Sequence, residues 1–184
     1  MNEKKYQVAI LAGGCFWCME AVFREVEGVV KVESGYTGGT APNPTYEQVC
    51  SDKTGHAEAI EITFDPAIIT YRELLEIFFT VHDPTQLNRQ GNDVGNQYRS
   101  AIFYQDTDQL KIAEEVIHDL DEQHIWKHKI VTQVLLSKEF YPAEEYHREY
   151  FARHPEQAYC QIVVEPKVVK FRQHWAGKLK KSNS

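Results

Sequence analysis

No apolar run in these 184 residues approaches the length of a membrane span. Positive charge is short as well. Twenty Lys and Arg stand against 27 Asp and Glu, for a net charge of −7. That excludes a general nucleic-acid binder, because neutralising phosphates takes a basic surface. Two short basic clusters, Lys4-Lys5 and Lys178 to Lys181, lie near the termini and read as solvated ends. The start, Met1-Asn2-Glu3-Lys4-Lys5, carries charge, but the apolar run behind it is too short for a secretory leader. Ala12-Gly13-Gly14-Cys15 has the outline of a lipoprotein cleavage site with the same shortage. The expectation is a cytoplasmic protein. There are only four cysteines, and in a reducing compartment they are catalytic, metal-binding or inert rather than a disulfide framework. No repeat or low-complexity linker divides the chain, so residues 1–184 are expected to form one domain with one core.

What is present is concentrated near the start. Gly13-Gly14-Cys15-Phe16-Trp17-Cys18-Met19-Glu20 follows the apolar run Val8 to Ala12. This reads as a strand, a glycine hinge, and a cysteine in the first turn of a helix. A helix N-terminus carries partial positive charge and unpaired N–H groups, which stabilise an anion. The thiolate is the reactive form of cysteine, and such a position lowers its pKa from about 8.5 by one to several units. Two aromatic residues follow at once, so the sulfur faces an apolar wall. The octapeptide points to a nucleophilic cysteine that meets an apolar group.

Hydrophobic periodicity predicts a strand over 6–12, a helix over 15–27 closed by Gly28, and a strand over 29–33. A Gly- and Pro-rich loop follows over 35–46. Residues 58–64 alternate as a strand, with Ile60, Ile62 and Phe64 on one face. Thr70 to Glu73 is a capping box opening a helix with Leu74, Leu75, Phe78 and Phe79 inward, stopped at Asp83-Pro84. A second polar loop spans 86–97 and a strand 101–104. An amphipathic helix covers 107–123, with Leu110, Ala113, Val116, Ile117 and Leu120 inward. A strand over 130–136 and a Tyr- and His-rich helix over 143–153 follow. From Pro155 onward an irregular tail is expected. The fold class is α+β, a mixed sheet with helices packed on it.

Glu58 shares parity with Ile60, Ile62 and Phe64, at the mouth of the strand's buried face. A carboxyl there is partly desolvated, stays protonated near neutrality, and can act as a general acid. A strand beginning one residue later would leave it solvated. Asp93 lies in a Gly/Asn loop where an Asx turn is the ordinary role. Tyr46 and Tyr98 flank the two loops and alone read as packing tyrosines. Cys15 and Cys18 have C-x-x-C spacing on one helix face. Cys50 and Cys160 stand alone, and no paired His or Cys gives zinc spacing. His82, His118, His124, His128, His147, His154 and His174 read as ordinary surface or half-buried histidines.

Taken together, Gly14-Cys15-Phe16-Trp17 through Glu20, Gly35-Tyr36-Thr37-Gly38-Gly39, Asn43-Pro44-Thr45-Tyr46, Thr54-Gly55-His56-Ala57-Glu58, and Gly91-Asn92-Asp93 with Gln97-Tyr98-Arg99-Ser100 resemble the A-type peptide methionine sulfoxide reductases. They occur in that family's order from about residue 8 to about 160. The resemblance implies a two-layer, ferredoxin-like α/β sandwich with a coiled C-terminal segment. It implies that Cys15 is the nucleophile, Phe16 and Trp17 the S-methyl pocket, and Glu58 the acid on the sulfoxide oxygen. Tyr46, Asp93 and Tyr98 would complete the polar side. Attack yields methionine and a Cys15 sulfenic acid, and the family takes the S epimer. Cys160, in the 155–184 tail, resembles the resolving cysteine. Many members have Gly where this chain has Cys18, which makes Cys18 a rival resolver or a relay partner. Cys50 is a bystander. The resemblance further implies a thioredoxin-like reductant, no cofactor, no metal and a monomer. The alternatives are a thiol–disulfide oxidoreductase using Cys15 and Cys18, and a redox sensor or binding module without turnover.

Overall fold

The computed structural model describes residues 5–181, so Met1 to Lys4, including half of the first basic cluster, lie outside the described residues. The chain opens with β1 (Gln7–Gly13), α1 (Phe16–Phe23) and β2 (Val29–Thr37). A short α2 (Tyr46–Cys50) precedes β3 (Ala57–Phe64) and α3 (Tyr71–Val81). A two-residue ladder, β4 (Arg89–Gln90) with β5 (Asp93–Val94), leads to β6 (Ser100–Tyr104) and α4 (Thr107–Glu122). Then come β7 (Gln133–Leu136), β8 (Tyr141–Pro142), α5 (Tyr150–Arg153) and α6 (Glu165–His174).

Six strands form one sheet in the order β7-β6-β1-β3-β2-β8. β1 is antiparallel to β3 and β6, and β2 to β3, while β7 runs parallel to β6. With α1 and α3 as crossovers, β6-β1-β3-β2 is the βαββαβ ferredoxin-like arrangement; β7 makes the sheet mixed. The helices cover one face. Ala9, Leu11, Ile60, Ile62 and Phe64 from the strands meet Met19, Val22, Phe23, Leu74, Phe78 and Val116 there. The other face carries small residues, Ala12, Ala57, Ala59 and Ala101 with Ile10 and Phe103, covered by Phe140.

Four sequence expectations need correction. The first helix ends at Phe23 rather than at residue 27, and Val26 instead bridges to Leu179. The strand beginning at Val29 runs on to Thr37, because Gly35, Tyr36 and Thr37 pair with Ala59, Glu58 and Ala57. The helix expected over 143–153 is two pieces. A tight turn, Glu145–His147, and α5 are separated by Glu149 in left-handed backbone, with φ 52°. The tail is not irregular: a π-turn, Cys160–Val164, runs straight into α6, with Pro166 in its first turn, where a missing N–H costs nothing.

Cys160, Val164, Val168 and Phe171 are fully or almost fully buried at near-helical spacing, against α1 and α3. Arg172 clamps the Glu25 carboxylate through Nε and Nη2 at 2.9 and 2.5 Å. Lys178 reaches Glu73 at 2.7 Å, so the second basic cluster is not merely solvated. The tail is thus part of the core. Phe171→Ala should destabilise the protein by about 3–5 kcal/mol, the usual cost of a large aromatic cavity; the urea midpoint checks this.

Candidate active site

The run Val8 to Ala12 enters the sheet because both faces of β1 are covered. The chain then turns sharply at Gly14, whose φ is +93° and whose added Cβ would lie 2.7 Å from Gln90 Cγ. Only glycine fits both constraints. The turn delivers Cys15 to the N-cap of α1. Its side chain makes no cap bond, and the Phe16 N–H just beyond it donates to Glu58 Oε1 at 3.2 Å.

Glu58 is 2% exposed, which decides the parity question in favour of burial. That burial holds its carboxyl well above the usual carboxylate range, despite the Phe16 N–H, and the neighbouring Cys15 and Asp93 push the same way. Burial likewise pushes the phenols of Tyr46 and Tyr98 upward, with Glu58 the next cause for both. Cys15, Glu58, Tyr46, Tyr98 and Asp93 therefore converge on one space, although they come from four separate stretches of sequence.

The Cys15 thiol corrects a further expectation. It is 7% exposed, and burial raises its pKa well above the ordinary value instead of lowering it. A hydrogen bond donated to Cys18 raises it further, while Tyr159 and the Trp17 backbone oppose. Cys18, accepting that bond, is pulled down. The helix end is present, but desolvation outweighs it.

Phe16 is buried against Tyr36 and His147, with ring centroids 5.7 and 4.9 Å away. Trp17 stacks flat on Tyr150 at 3.7 Å and meets Tyr159 edge-on at 5.7 Å. Asp93 Oδ2 accepts the Tyr159 hydroxyl at 2.6 Å. The second loop is fixed by buried side chains. Gln90 exchanges two hydrogen bonds with the Asp83 backbone, both at 2.9 Å, and Arg99 donates to Asn96 O at 3.0 Å and Gly55 O at 2.9 Å.

Sequence reasoning missed four participants. Tyr159 donates its single O–H to Asp93 and lies against Cys15 and Cys18. His147, read as ordinary, is 1% exposed and accepts the Trp17 indole N–H at Nδ1, 3.0 Å away. Glu144 accepts Tyr36 O–H at Oε1, and Tyr46 N–H and Tyr146 O–H at Oε2. Glu20 accepts Ser34 O–H and the Glu149 N–H. The His147-x-x-Tyr150 spacing in a Tyr-rich segment was the available signal. His82 is a satisfied core histidine on Phe78 O and Ser100 Oγ. Cys50 is exposed on α2, hydrogen-bonded to the Tyr46 hydroxyl. Cys160 is buried and feels the charge of Cys15. Among the described residues no group of three or more His, Cys, Asp or Glu is placed to hold a metal ion, and no helix is long and apolar enough to cross a membrane.

The family model described as peptide methionine sulfoxide reductase matches residues 7–179. The chain belongs to that family, in its A type. It is an oxidoreductase of the methionine sulfoxide reductase class. It is 58% identical over 172 residues to peptide methionine sulfoxide reductase MsrA of Sulfolobus acidocaldarius, covering 94% of this chain and 97% of the relative. Its fold is similar to that of Mxr1 from Saccharomyces cerevisiae in reduced form, with a TM-score of 0.79, 36% identity, and 85% and 90% of the two chains covered. It is similar, too, to Mxr1 in complex with Trx2, with a TM-score of 0.57, 26% identity, and 81% and 87% covered.

Proposed function

We propose that this reductase converts the S epimer of methionine sulfoxide, free or in a peptide, to methionine, with Cys15 as nucleophile and Glu58 as the acid on oxygen. One observation carries the reading: the Glu58 carboxyl is buried beside the Cys15 sulfur, whose charge adds to burial in raising its pKa. Such a pair resists holding two negative charges, so the resting site holds Glu58 as a neutral donor. A sulfoxide is a poor electrophile because oxide is a poor leaving group. Glu58 gives its proton to that oxygen while the Cys15 sulfur attacks the substrate sulfur. The S–O bond of the substrate breaks, the hydroxyl passes to Cys15 as a sulfenic acid, and methionine leaves. The proton displaced from Cys15 restores Glu58. The site never carries two anions at once. In this reading Tyr98, and Tyr46 on giving up its bond to Cys50, donate to the same oxygen, since burial keeps both phenols protonated, and Asp93 completes the polar side. Phe16 and Trp17 receive the methyl group. With oxygen donors on one side and an aromatic wall on the other, one epimer fits.

A second thiol then displaces water from the sulfenic acid to form a disulfide. Cys160 is the proposed resolver. It sits in a π-turn, the kind of irregularity that recurs at functional sites, and beside exposed Gln161 and Ile162. Cys18 hydrogen-bonds Cys15 directly and is as buried as Cys160, but the residues that follow it in α1, Met19 and Glu20, are buried too, whereas those that follow Cys160 are exposed. A thioredoxin-like dithiol reduces the final disulfide by exchange, in line with the complex solved for Mxr1.

The contact between Cys15 and Cys18 also favours a second reading, thiol–disulfide exchange alone. Incubating the protein with each epimer of a blocked methionine sulfoxide and dithiothreitol separates the two. Methionine is expected from the S form only. Reduction of neither form, with disulfide exchange intact, overturns the proposal in favour of the alternative.

A further inference from the structure

Trp17, Glu20, Ala21 and Arg24 recur every three or four residues, so they share one face of α1 and its C-cap. That face floors a groove of about 350 Å3, walled on the other side by Glu149, Tyr150 and Phe151. A second cavity, of about 410 Å3, shares Glu20, Arg24 and Glu149 with the first and extends it to Lys31, Arg148 and Lys180. One path therefore leads from the Trp17 ring to a basic end. Trp17 to Arg24 spans roughly 10 Å of helix, at about 1.5 Å per residue. An extended peptide covers that length in about three residues. The outer edge of β2 runs along the second cavity. β8 pairs only with Gly35 and Tyr36, so Val30 to Glu33 have no strand beside them on that side. The open N–H and C=O groups of such an edge accept an extended chain. Charge at the basic end is not balanced. Arg24 is paired with Glu149, Lys31 with Glu33 at 3.3 Å, and Arg148 with Glu145 at 3.5 Å. Glu20 already accepts from Ser34 and from the Glu149 N–H. Lys180 has no acid partner among the described residues. Its backbone N–H donates to Glu25 O at 2.8 Å, which fixes where the side chain starts.

We propose that this groove takes the chain of a peptide substrate outward from its oxidised methionine, and that Lys180 selects an Asp or Glu about three to five residues from the sulfoxide. The proposal deepens the reading of Trp17 as the methyl wall and rests on it. The methyl group lies at the Trp17 end, the main chain of the peptide meets the edge of β2, and its carboxylate meets Lys180. Partial burial and the Arg24 charge hold the Lys180 ammonium below the ordinary lysine range, and an incoming carboxylate offsets that repulsion. A net charge of −7 repels acidic segments elsewhere on the surface, so the selection is local. Free methionine sulfoxide ends short of Lys180 and is indifferent to it.

Matched blocked peptides test this. Each carries one S-sulfoxide methionine in a Gly/Ser chain, with two glutamates about four residues away, or two glutamines in the reference. One pair places them on the N-terminal side and one on the C-terminal side, because the groove fixes a distance and not a chain direction. In one of the pairs, kcat/KM for the glutamate peptide should exceed that for the glutamine peptide by about 3- to 10-fold, through KM, between the worth of an exposed ion pair and that of a hydrogen bond to a charged group. Lys180→Ala should abolish the preference and Lys180→Glu reverse it, while blocked single-residue methionine sulfoxide is reduced alike by all three proteins. Lys180 is exposed and its backbone bond survives both changes, so the fold is not at stake. No preference in either pair, or a preference that survives Lys180→Glu, overturns the proposal. If the unaltered protein reduces neither the peptides nor the blocked residue, the catalytic reading fails instead. Fluorescence anisotropy of the labelled peptides then decides the groove: tighter binding of the glutamate peptide, lost in Lys180→Glu, is expected, and equal binding overturns it.

Discussion

Glu58→Gln lowers the rate of methionine sulfoxide reduction by about 10²- to 10⁴-fold at neutral pH, the span expected when a general acid is removed. Gln has nearly the same volume and can still accept the Phe16 N–H, so the loss isolates the proton. The deficit is smallest at low pH, where solvent supplies protons, and in the unaltered enzyme the rate falls as pH rises through the raised Glu58 pKa. Stability provides an independent check with a definite sign. A carboxyl whose pKa is raised on folding binds more protons in the native state, so its contribution is fully present below the unfolded value near 4.3 and is lost progressively up to the folded value. The urea midpoint of the unaltered protein should therefore decline over that window more than that of Glu58→Gln. Unchanged turnover at neutral pH would remove Glu58 from the chemistry.

Cys160→Ser gives the second large effect. The variant should release one equivalent of methionine per chain and then stop when thioredoxin and its reductase are the only reductants. Cys15 does not depend on Cys160 for the first attack, but its sulfenic acid has no partner whose disulfide an external protein can reach. Dithiothreitol, small enough to enter, should sustain turnover. Rapid quench with product quantification separates burst from steady state. Undiminished recycling in Cys160→Ser, together with its loss in Cys18→Ser, would transfer resolution to Cys18.

The elements set by local pattern were legible in the sequence. The helix read over 107–123 is α4, Thr107–Glu122, because its apolar stripe and the Asp106 cap are local signals. The Thr70–Glu73 capping box opens α3 as expected. Glu58 was placed on a buried face by parity with Ile60. What failed was non-local. Gly35 to Thr37 look like loop residues and become strand only because β3 offers them a ladder. The Thr45 capping box makes α2, which falls in a stretch between the first loop and β3 that periodicity left unassigned. The stripe Cys160, Val164, Val168 and Phe171 was present in the sequence, but the surrounding charged residues and Pro166 hid it. Within the site, the cysteine, the acid and the aromatic pair stood in recognisable motifs. Tyr159, His147 and Glu144 act through contacts between residues more than 65 apart in sequence. The thiol's raised pKa was out of reach for the same reason: a helix start can be read locally, whereas the depth at which it is buried cannot.

Tyr159 and Cys160 are neighbours on the chain, and one of them covers Cys15 while the other is its proposed partner. Successive residues on a helix point about 100° apart, so the segment cannot aim both at the same sulfur. Presenting the second thiol means rolling the phenol away and breaking its bond to Asp93. The covalent backbone thus works as a turnstile. With Cys160 as the proposed resolver, a seated Tyr159 would block an untimely disulfide with Cys15, and the rotation that uncovers one sulfur would deliver the other.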